Sequence, residues 1–322
     1  MKKFGKHRIL IIGDIMLDRY IDGHISRISP EAPVPVLDMM KMENKPGGAA
    51  NVALNIKSLG SEPVLLSVTG DDKSGNELIK LLENNNINTA YIIKTKSKPT
   101  TVKTRIMSGG QHLLRIDEED SSKVDKETDK SIINKYSELL EHGNIDAVII
   151  QDYDKGLLHD NTIPHLITEA NKRGIFIAVD PKFDNFFSYA NVDLFKPNLK
   201  ETASSLNTNI KVEMDDLKAK AKSLYERLKY KHIFITLGDK GIFYSDGTQA
   251  EIVPTETINV VDVSGAGDVV LSVATIAFLQ GYTPREVAHL SNIAGGLACG
   301  IVGVATISKE QLAEAYNKNK AL

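Results

Sequence analysis

Five short, predominantly apolar runs constrain this chain more than any other feature. They are Arg8-Ile9-Leu10-Ile11-Ile12, Val64-Leu65-Leu66-Ser67-Val68, Ala147-Val148-Ile149-Ile150, Ile175-Phe176-Ile177-Ala178-Val179 and Ile233-Phe234-Ile235-Thr236. Runs of this length without polar alternation suit strands buried on both faces, as in parallel sheets. Amphipathic helical patterns over residues 74–84, 126–141, 162–172 and 214–228 separate several of them. Strands alternating with helices predict a doubly wound α/β fold, a mostly parallel sheet flanked by helices. Ligands in such sheets sit at the carboxyl ends of the strands. Gly13-Asp14, Gln151-Asp152-Tyr153, Asp180-Pro181-Lys182 and Leu237-Gly238-Asp239 each follow one of these runs. A single acid after a strand is ordinarily a helix cap; several polar strand ends on one rim point to a site.

Two stretches break the rhythm. Residues 20–41 carry Pro30, Pro33 and Pro35 among β-prone residues, which predicts extended, edge-like structure rather than a central strand or helix interior. Residues 100–106 and 112–116 flank Ser108-Gly109-Gly110-Gln111, a β-hairpin pattern with a glycine turn. The two stretches form either one small β-rich flap or two unrelated surface excursions. There is no internal repeat, low-complexity tract or flexible linker.

A net charge of −3 leaves no electrostatic footprint for nucleic acid or an anionic membrane. The lone Cys299 excludes an intramolecular disulfide and a cysteine-cluster metal site. The apolar run after the basic start is stopped by Gly13-Asp14, too short for a signal peptide. No apolar segment reaches the roughly 18 residues that span a bilayer. A cytoplasmic protein is expected.

Two glycine-rich spots carry the chemistry. Asp262-Val263-Ser264-Gly265-Ala266-Gly267-Asp268 runs into an apolar helical stretch over 269–279. Glycines let backbone N–H groups converge on a ligand and a helix N-terminus adds partial positive charge, a geometry suited to phosphate. Asp268 repels an anion there unless negative charge is needed, as it is to deprotonate a hydroxyl attacking phosphorus. Gly47-Gly48-Ala49-Ala50-Asn51 precedes a second helical pattern ending at Gly60. It reads as a close-approach turn whose Asn51 amide bonds hydroxyls, or as a capped helix with a flexible entry.

Together these pieces resemble the PfkB-type, ribokinase-like carbohydrate kinases, and the likeness spans nearly the whole chain in family order. Gly47-Gly48-Ala49-Ala50-Asn51 is similar to that family's N-terminal signature, residues 262–268 to its C-terminal signature, and Asn198-Leu199-Lys200-Glu201 to its Asn-x-x-Glu motif. Within the family, Gly13-Asp14-Ile15-Met16-Leu17-Asp18-Arg19-Tyr20, the stretch 26–36 around Ser29-Pro30-Glu31-Ala32-Pro33, and Gln111-His112-Leu113-Leu114-Arg115-Ile116-Asp117 resemble the D-glycero-D-manno-heptose 7-phosphate kinases of lipopolysaccharide-precursor synthesis. Many of those are fused to a C-terminal nucleotidyltransferase, for which 322 residues leave no room; the expectation is a stand-alone kinase or part of a longer one.

The resemblance implies one ribokinase-like domain over 1–322, with a β lid from about 15–45 and 98–117 through which two copies form a homodimer. It implies ATP and Mg²⁺, with a small sugar phosphate as the other substrate. Asp268 is then the general base, and the N–H groups of Gly265, Ala266 and Gly267 stabilise the transferring phosphoryl group. Asn198 and Glu201 face hydrated Mg²⁺, although Asn followed three residues later by Glu is also a capping-box pattern. Thr236, Gly238 and Gly241 lie along ATP. Asn292 is either an adenine-side residue or the one exposed amide of a buried helix. Asp14, Asp18, Gly47, Gly48 and Asn51 hold sugar hydroxyls, and Arg105, Arg115 and Lys182 are the cations for the 7-phosphate. Val269 stands where family members commonly carry a small polar residue.

Three rivals remain in view. A PfkB-type kinase of ribose, fructose or fructose 6-phosphate should lack the Ser-Pro-Glu-Ala-Pro stretch and the cations around the hairpin. A non-catalytic nucleotide-binding regulator should lack the base or the turn glycines. A Rossmann oxidoreductase should carry Gly-x-Gly-x-x-Gly after its first strand, where Gly13-Asp14 stands.

Overall fold

The computed structural model describes residues 4–255 and 260–320. In chain order its strands are β1 (Arg8–Gly13), β2 (Ile15–Ile28), β3 (Pro35–Gly48), β4 (Glu62–Gly70), β5 (Ile92–Thr95), β6 (Val102–Ser108), β7 (Gln111–Glu118), β8 (Ala147–Gln151), β9 (Phe176–Asp180), β10 (Leu194–Phe195), β11 (His232–Thr236), β12 (Ile242–Ser245) and β13 (Ala250–Val253). Its helices are α1 (Ala49–Ser58), α2 (Lys73–Asn84), α3 (Lys126–His142), α4 (Thr162–Lys172), α5 (Leu199–Ser205), α6 (Met214–Leu228), α7 (Ala266–Leu279), α8 (Pro284–Cys299) and α9 (Lys309–Lys320).

The main sheet runs β13-β12-β11-β10-β9-β8-β1-β4-β5. Strands from β11 through β5 in that order are parallel, and β12 and β13 close the far edge antiparallel. The unbroken apolar runs follow from burial on both faces. Ile9 and Ile11 of β1 join one core with Ile56 of α1, Leu271 of α7 and Leu290 of α8. Leu10 and Ile12 join the opposite core with Tyr136 of α3, Leu166 of α4 and Leu224 of α6. From β1 the chain moves to β4 and β5 on one side, then returns to β8 on the other. That reversal opens a crevice at the carboxyl ends of β1 and β8.

A second sheet, β3-β2-β6-β7, joins the two stretches that broke the rhythm. The edge-like structure expected over residues 20–41 is only partly found: β2 is an inner strand of this sheet and ends at Ile28, before any proline. Pro30 and Pro33 fall in the connection, and Pro35 opens the edge strand β3, where a missing N–H does no harm. Gly109 and Gly110, at φ 57° and 79°, make the tight turn between β6 and β7. Among the described residues no helix is long and apolar enough to cross a membrane.

Candidate active site

Helix α7 is apolar on all sides, and residues Asp268 to Ala277 are all buried. Burying Val269, Leu271, Val273 and Ile276 contributes about 1.5–3 kcal/mol each, which fixes the first turn of the helix in place. Gly265 caps it at φ 77°, and a Cβ there would lie 2.8 Å from Asn51 Nδ2 and 2.9 Å from Val304 Cγ1. Only glycine satisfies both the backbone angle and the space. Ala266 N–H donates to Val263 O at 3.3 Å, and the N–H groups of Asp268 and Val269 both donate to Gly265 O at 3.1 Å.

Asp268 is 2% exposed. Its Oδ2 accepts from Asn51 Nδ2 at 2.8 Å, and its Oδ1 accepts from Tyr153 Oη at 2.8 Å and Gln151 Nε2 at 3.1 Å. Burial raises its pKa to about 6, with the Asn51 hydrogen bond opposing and the Asp180 charge reinforcing the shift. The group is therefore ionised at neutral pH yet basic enough to take a proton.

On one side of Asp268 lies a cavity of about 880 Å³ lined by Tyr153, Asp180, Lys182, Lys196, Asn198, Thr236, Gly238, Gly265 and Gly267, among others. Lys196 Nζ pairs with Asp180 at 3.0 Å, both groups buried. Burial pushes the Asp180 carboxyl up, but Lys196 and Lys182 more than offset it and hold it below its ordinary value. Lys182 pairs with Glu201 and stands 5.4 Å over the Tyr153 ring. Asn198 and Glu201 do form a capping box at α5, each side chain accepting from the other's backbone N–H at 2.8 Å. Asn198 also lines the cavity.

A second, largely apolar cavity of about 400 Å³ shares Thr236, Gly238, Val263 and Gly267 with the first, and Gly241, Val270, Ser291, Asn292 and Cys299 help to line it. Asn292 spends its amide N–H groups on Val253 O and Pro254 O, at 2.8 and 3.2 Å. A charged chamber leading into an apolar slot suits a polyphosphate joined to a flat ring.

On the other side of Asp268, the end of β1 and the second sheet supply buried polar groups. Asp14 accepts from the N–H groups of Tyr153 and Lys155, at 2.9 and 3.2 Å. Burial first, then the Asp152 charge, pushes its pKa up to about 7. Asp18 is buried against Arg105; burial raises its carboxyl and Arg105 opposes the shift. Gly47 and Gly48 end β3 opposite Met16 and Ile15, delivering the chain directly into α1 and Asn51. Arg115 lies directly across from Arg105 in the β6–β7 pair but is mostly exposed and bonds Asp117 at 3.0 Å. Lys182, by contrast, lines the large cavity with Asn198 and pairs with Glu201.

Residues 6–311 match the sequence profile of the pfkB family carbohydrate kinases. The chain belongs to that family. This PfkB kinase is 39% identical over 312 residues to the bifunctional protein HldE of Hyphomonas neptunium, covering 96% of this chain and 63% of the relative. It is 38% identical over 317 residues to bifunctional protein HldE of Coxiella burnetii, covering 98% and 65%. The kinase thus spans less than two thirds of the length of these curated relatives. Its fold is shared with phosphofructokinase-2 from Escherichia coli in complex with potassium, at TM-score 0.81, 20% identity and 98% and 99% coverage. It is likewise shared with Arabidopsis thaliana ribokinase complexed with ribose and ATP, at TM-score 0.73, 15% identity and 97% and 99% coverage. The ribokinase-like architecture expected from the sequence is borne out, and the chain is a phosphotransferase acting on a sugar hydroxyl.

Four residues around Asp268 had no role assigned from the sequence. Gln151, Tyr153 and Asp180 follow apolar runs, so their place on the rim was legible, but not the bonds of Gln151 and Tyr153 to Asp268 or the bridge from Gln151 to Asp180. Lys196 follows a strand of only two residues. Its signal is the Lys-Pro-Asn triplet, 196–198, that ends the short apolar stretch before the Asn-x-x-Glu motif. Among the described residues no three His, Cys, Asp or Glu side chains cluster to hold a metal ion. Glu201 already has one oxygen on Lys182 and the other on a backbone N–H. This donor set fits a divalent ion held by phosphate oxygens and water rather than by a protein cage.

Proposed function

We propose that this kinase transfers the γ-phosphoryl group of ATP to the anomeric hydroxyl of D-glycero-D-manno-heptose 7-phosphate, giving the 1,7-bisphosphate and ADP in the ADP-heptose route to lipopolysaccharide core. The observation that carries the transfer chemistry is the buried Asp268 at the start of α7, with the buried acids Asp14 and Asp18 on one side and a lysine-lined cavity on the other. Asp268 takes the proton of the anomeric hydroxyl as that oxygen bonds to phosphorus. The bond from phosphorus to the departing ADP oxygen breaks in the same displacement. The N–H groups of Gly265 and Gly267, with Lys196, offset charge on the equatorial oxygens; the Ala266 N–H, expected to join them, is spent on Val263 O. Asn198 and Glu201 would hold Mg²⁺ through water, and the ion would supply neutralisation of the ATP phosphate charge. Adenine would occupy the apolar slot beside Gly241 and Asn292.

The heptose 7-phosphate reading rests on the three stretches that resemble those kinases and on relatives named HldE. It is supported by a cationic set on the lid beside Asp18, namely Arg105, Lys103 and Arg115. Arginine pairs two oxygens of a phosphate at once, and the mostly exposed Arg115 needs only to swing from Asp117. Lys182 belongs better to the ATP phosphates than to the sugar phosphate, given its place beside Asn198. The lid exposes Met39, Met40, Met42, Leu113, Leu114 and Ile116, an apolar surface that a second copy would cover. A coupled ADP-release assay with heptose 7-phosphate, fructose 6-phosphate and ribose tests the reading. Preference for an unphosphorylated sugar would overturn it.

A further inference from the structure

Asp268 is held more elaborately than a base needs to be, and the pattern of its contacts is asymmetric. A carboxylate has about four lone-pair sites, two on each oxygen. Among the described residues three are occupied: Tyr153 Oη and Gln151 Nε2 both donate to Oδ1, while Asn51 Nδ2 alone donates to Oδ2. The open site is therefore on Oδ2, the oxygen shared with the Asn51 amide. Resting on Asp268 as the base, we propose that Tyr153 and Gln151 are positioning residues that saturate Oδ1 and so assign proton acceptance to Oδ2.

Three features make both donors one-way. Gln151 stands between two carboxylates, its Nε2 donating to Asp268 Oδ1 and, at 3.2 Å, to Asp180 Oδ2. Turning the amide over would set its oxygen against both acids, so the donating orientation is fixed. Its Oε1 is buried without a partner, an arrangement that burial disfavours and that the bridge offsets. Tyr153 is buried among acids, and burial with the Asp268 and Asp180 charges raises its phenol well above its ordinary value. The hydroxyl stays protonated and donates throughout the working pH range. The Tyr153 ring also lies under Lys182, which is tied to Glu201, so the hydroxyl is clamped from the phosphate side.

The charged and titratable groups facing Asp268 are Tyr153 after β8, Asp180 at the end of β9, Lys182 just beyond it and Lys196 after β10. Removing one donor to Oδ1 leaves all of these charges in place and weakens only the ionised form of Asp268. Tyr153→Phe keeps the ring under Lys182, and Gln151→Met keeps the side-chain length, so each deletes a donor with little change of volume. The acid-side pKa should rise in each variant by about a factor of ten in proton affinity.

The test measures two quantities in the full chain. The first is the Asp268 carboxyl midpoint, read from ¹³C-aspartate NMR titration and assigned by its loss in Asp268→Asn. The second is the acid limb of kcat against pH, with ATP and whichever acceptor the ADP-release panel favours, so the identity of the sugar does not enter. The expected result is that both midpoints rise together in Tyr153→Phe and in Gln151→Met, from about 6 in the native protein. A carboxyl midpoint that stays put or falls in the folded variants overturns the assignment of Tyr153 and Gln151. A carboxyl midpoint that rises while the kinetic limb does not move overturns Asp268 as the base, and the positioning role with it.

Discussion

Replacing Asp268 by asparagine should destroy activity and stabilise the fold at the same time. The carboxyl is 2% exposed with its pKa raised from 3.8 to about 6. Holding it ionised in the fold at pH 7.5 therefore costs about 3 kcal/mol, because each tenfold change in proton affinity is worth roughly 1.4 kcal/mol. An amide removes that cost but meets three donors with one acceptor oxygen, so one hydrogen bond is lost for about 1 kcal/mol. The net is a gain of about 2 kcal/mol, or roughly 3 °C in Tm for a chain of this length. The sign is fixed by the raised pKa. A raised carboxyl favours the folded state at pH below its unfolded value, and that advantage is lost as pH rises through 6. The stability gain of Asp268→Asn should accordingly shrink to less than half by pH 5. In the same variant kcat should fall by about 10²–10⁴, the usual contribution of a general base. Differential scanning calorimetry at pH 7.5 and 5, paired with ADP release, measures both. A variant less stable than the native protein at pH 7.5 would show that burying the charge carries no such cost, and one that turns over normally would remove Asp268 as the base.

Other outcomes follow from the same geometry. Gly265→Ala forces a side chain into αL backbone against Asn51 and Val304. It should cost about 1–2 kcal/mol or more and lower kcat more than it raises KM for ATP; unchanged kinetics would mean that the turn is not part of the transfer site. Asp14, with its pKa near 7, should make the protein lose stability as pH rises from 5 to 8. Urea unfolding of Asp14→Asn should show a shallower pH slope, and an identical slope contradicts the assignment. Lys196→Met removes the paired cation of the buried Asp180, leaving it only Gln151 and the Lys182 charge, and should destabilise the fold by about 2–4 kcal/mol. Adding Asp180→Asn should recover much of that loss, and a double variant no better than the single would show that the pair is not coupled.

What the sequence revealed depended on whether a feature repeats along the chain or is made by distant parts meeting. Strands β1, β4, β8, β9 and β11 were legible because burial on both faces leaves an uninterrupted apolar run. Helices α4 and α6 were legible to their ends because one apolar face repeats over several turns. β10 was not, since two residues carry no period, and Lys196 went unseen with it. The prolines of residues 30–35 were informative about the edge strand and the connection, but they did not reach back to the inner strand β2. Asn198-Leu199-Lys200-Glu201 showed why a motif can bear two readings: its side chains cap α5 while Asn198 also lines the cavity. The Asp18–Arg105 pair and the triple hold on Asp268 join residues 87 to 217 positions apart. Such contacts are set by sheet order, which local pattern does not encode.

The proposed reaction presents a phosphorylated sugar, held beside Asp18, to Asp268. Its most direct test is kcat/KM for heptose 7-phosphate against the dephosphorylated heptose, in the native kinase and in Arg105→Met. A preference of about 100-fold or more for the phosphorylated sugar is expected, equivalent to two charge-assisted hydrogen bonds, collapsing toward unity in the variant. Equal kcat/KM for the two sugars in the native kinase would contradict it.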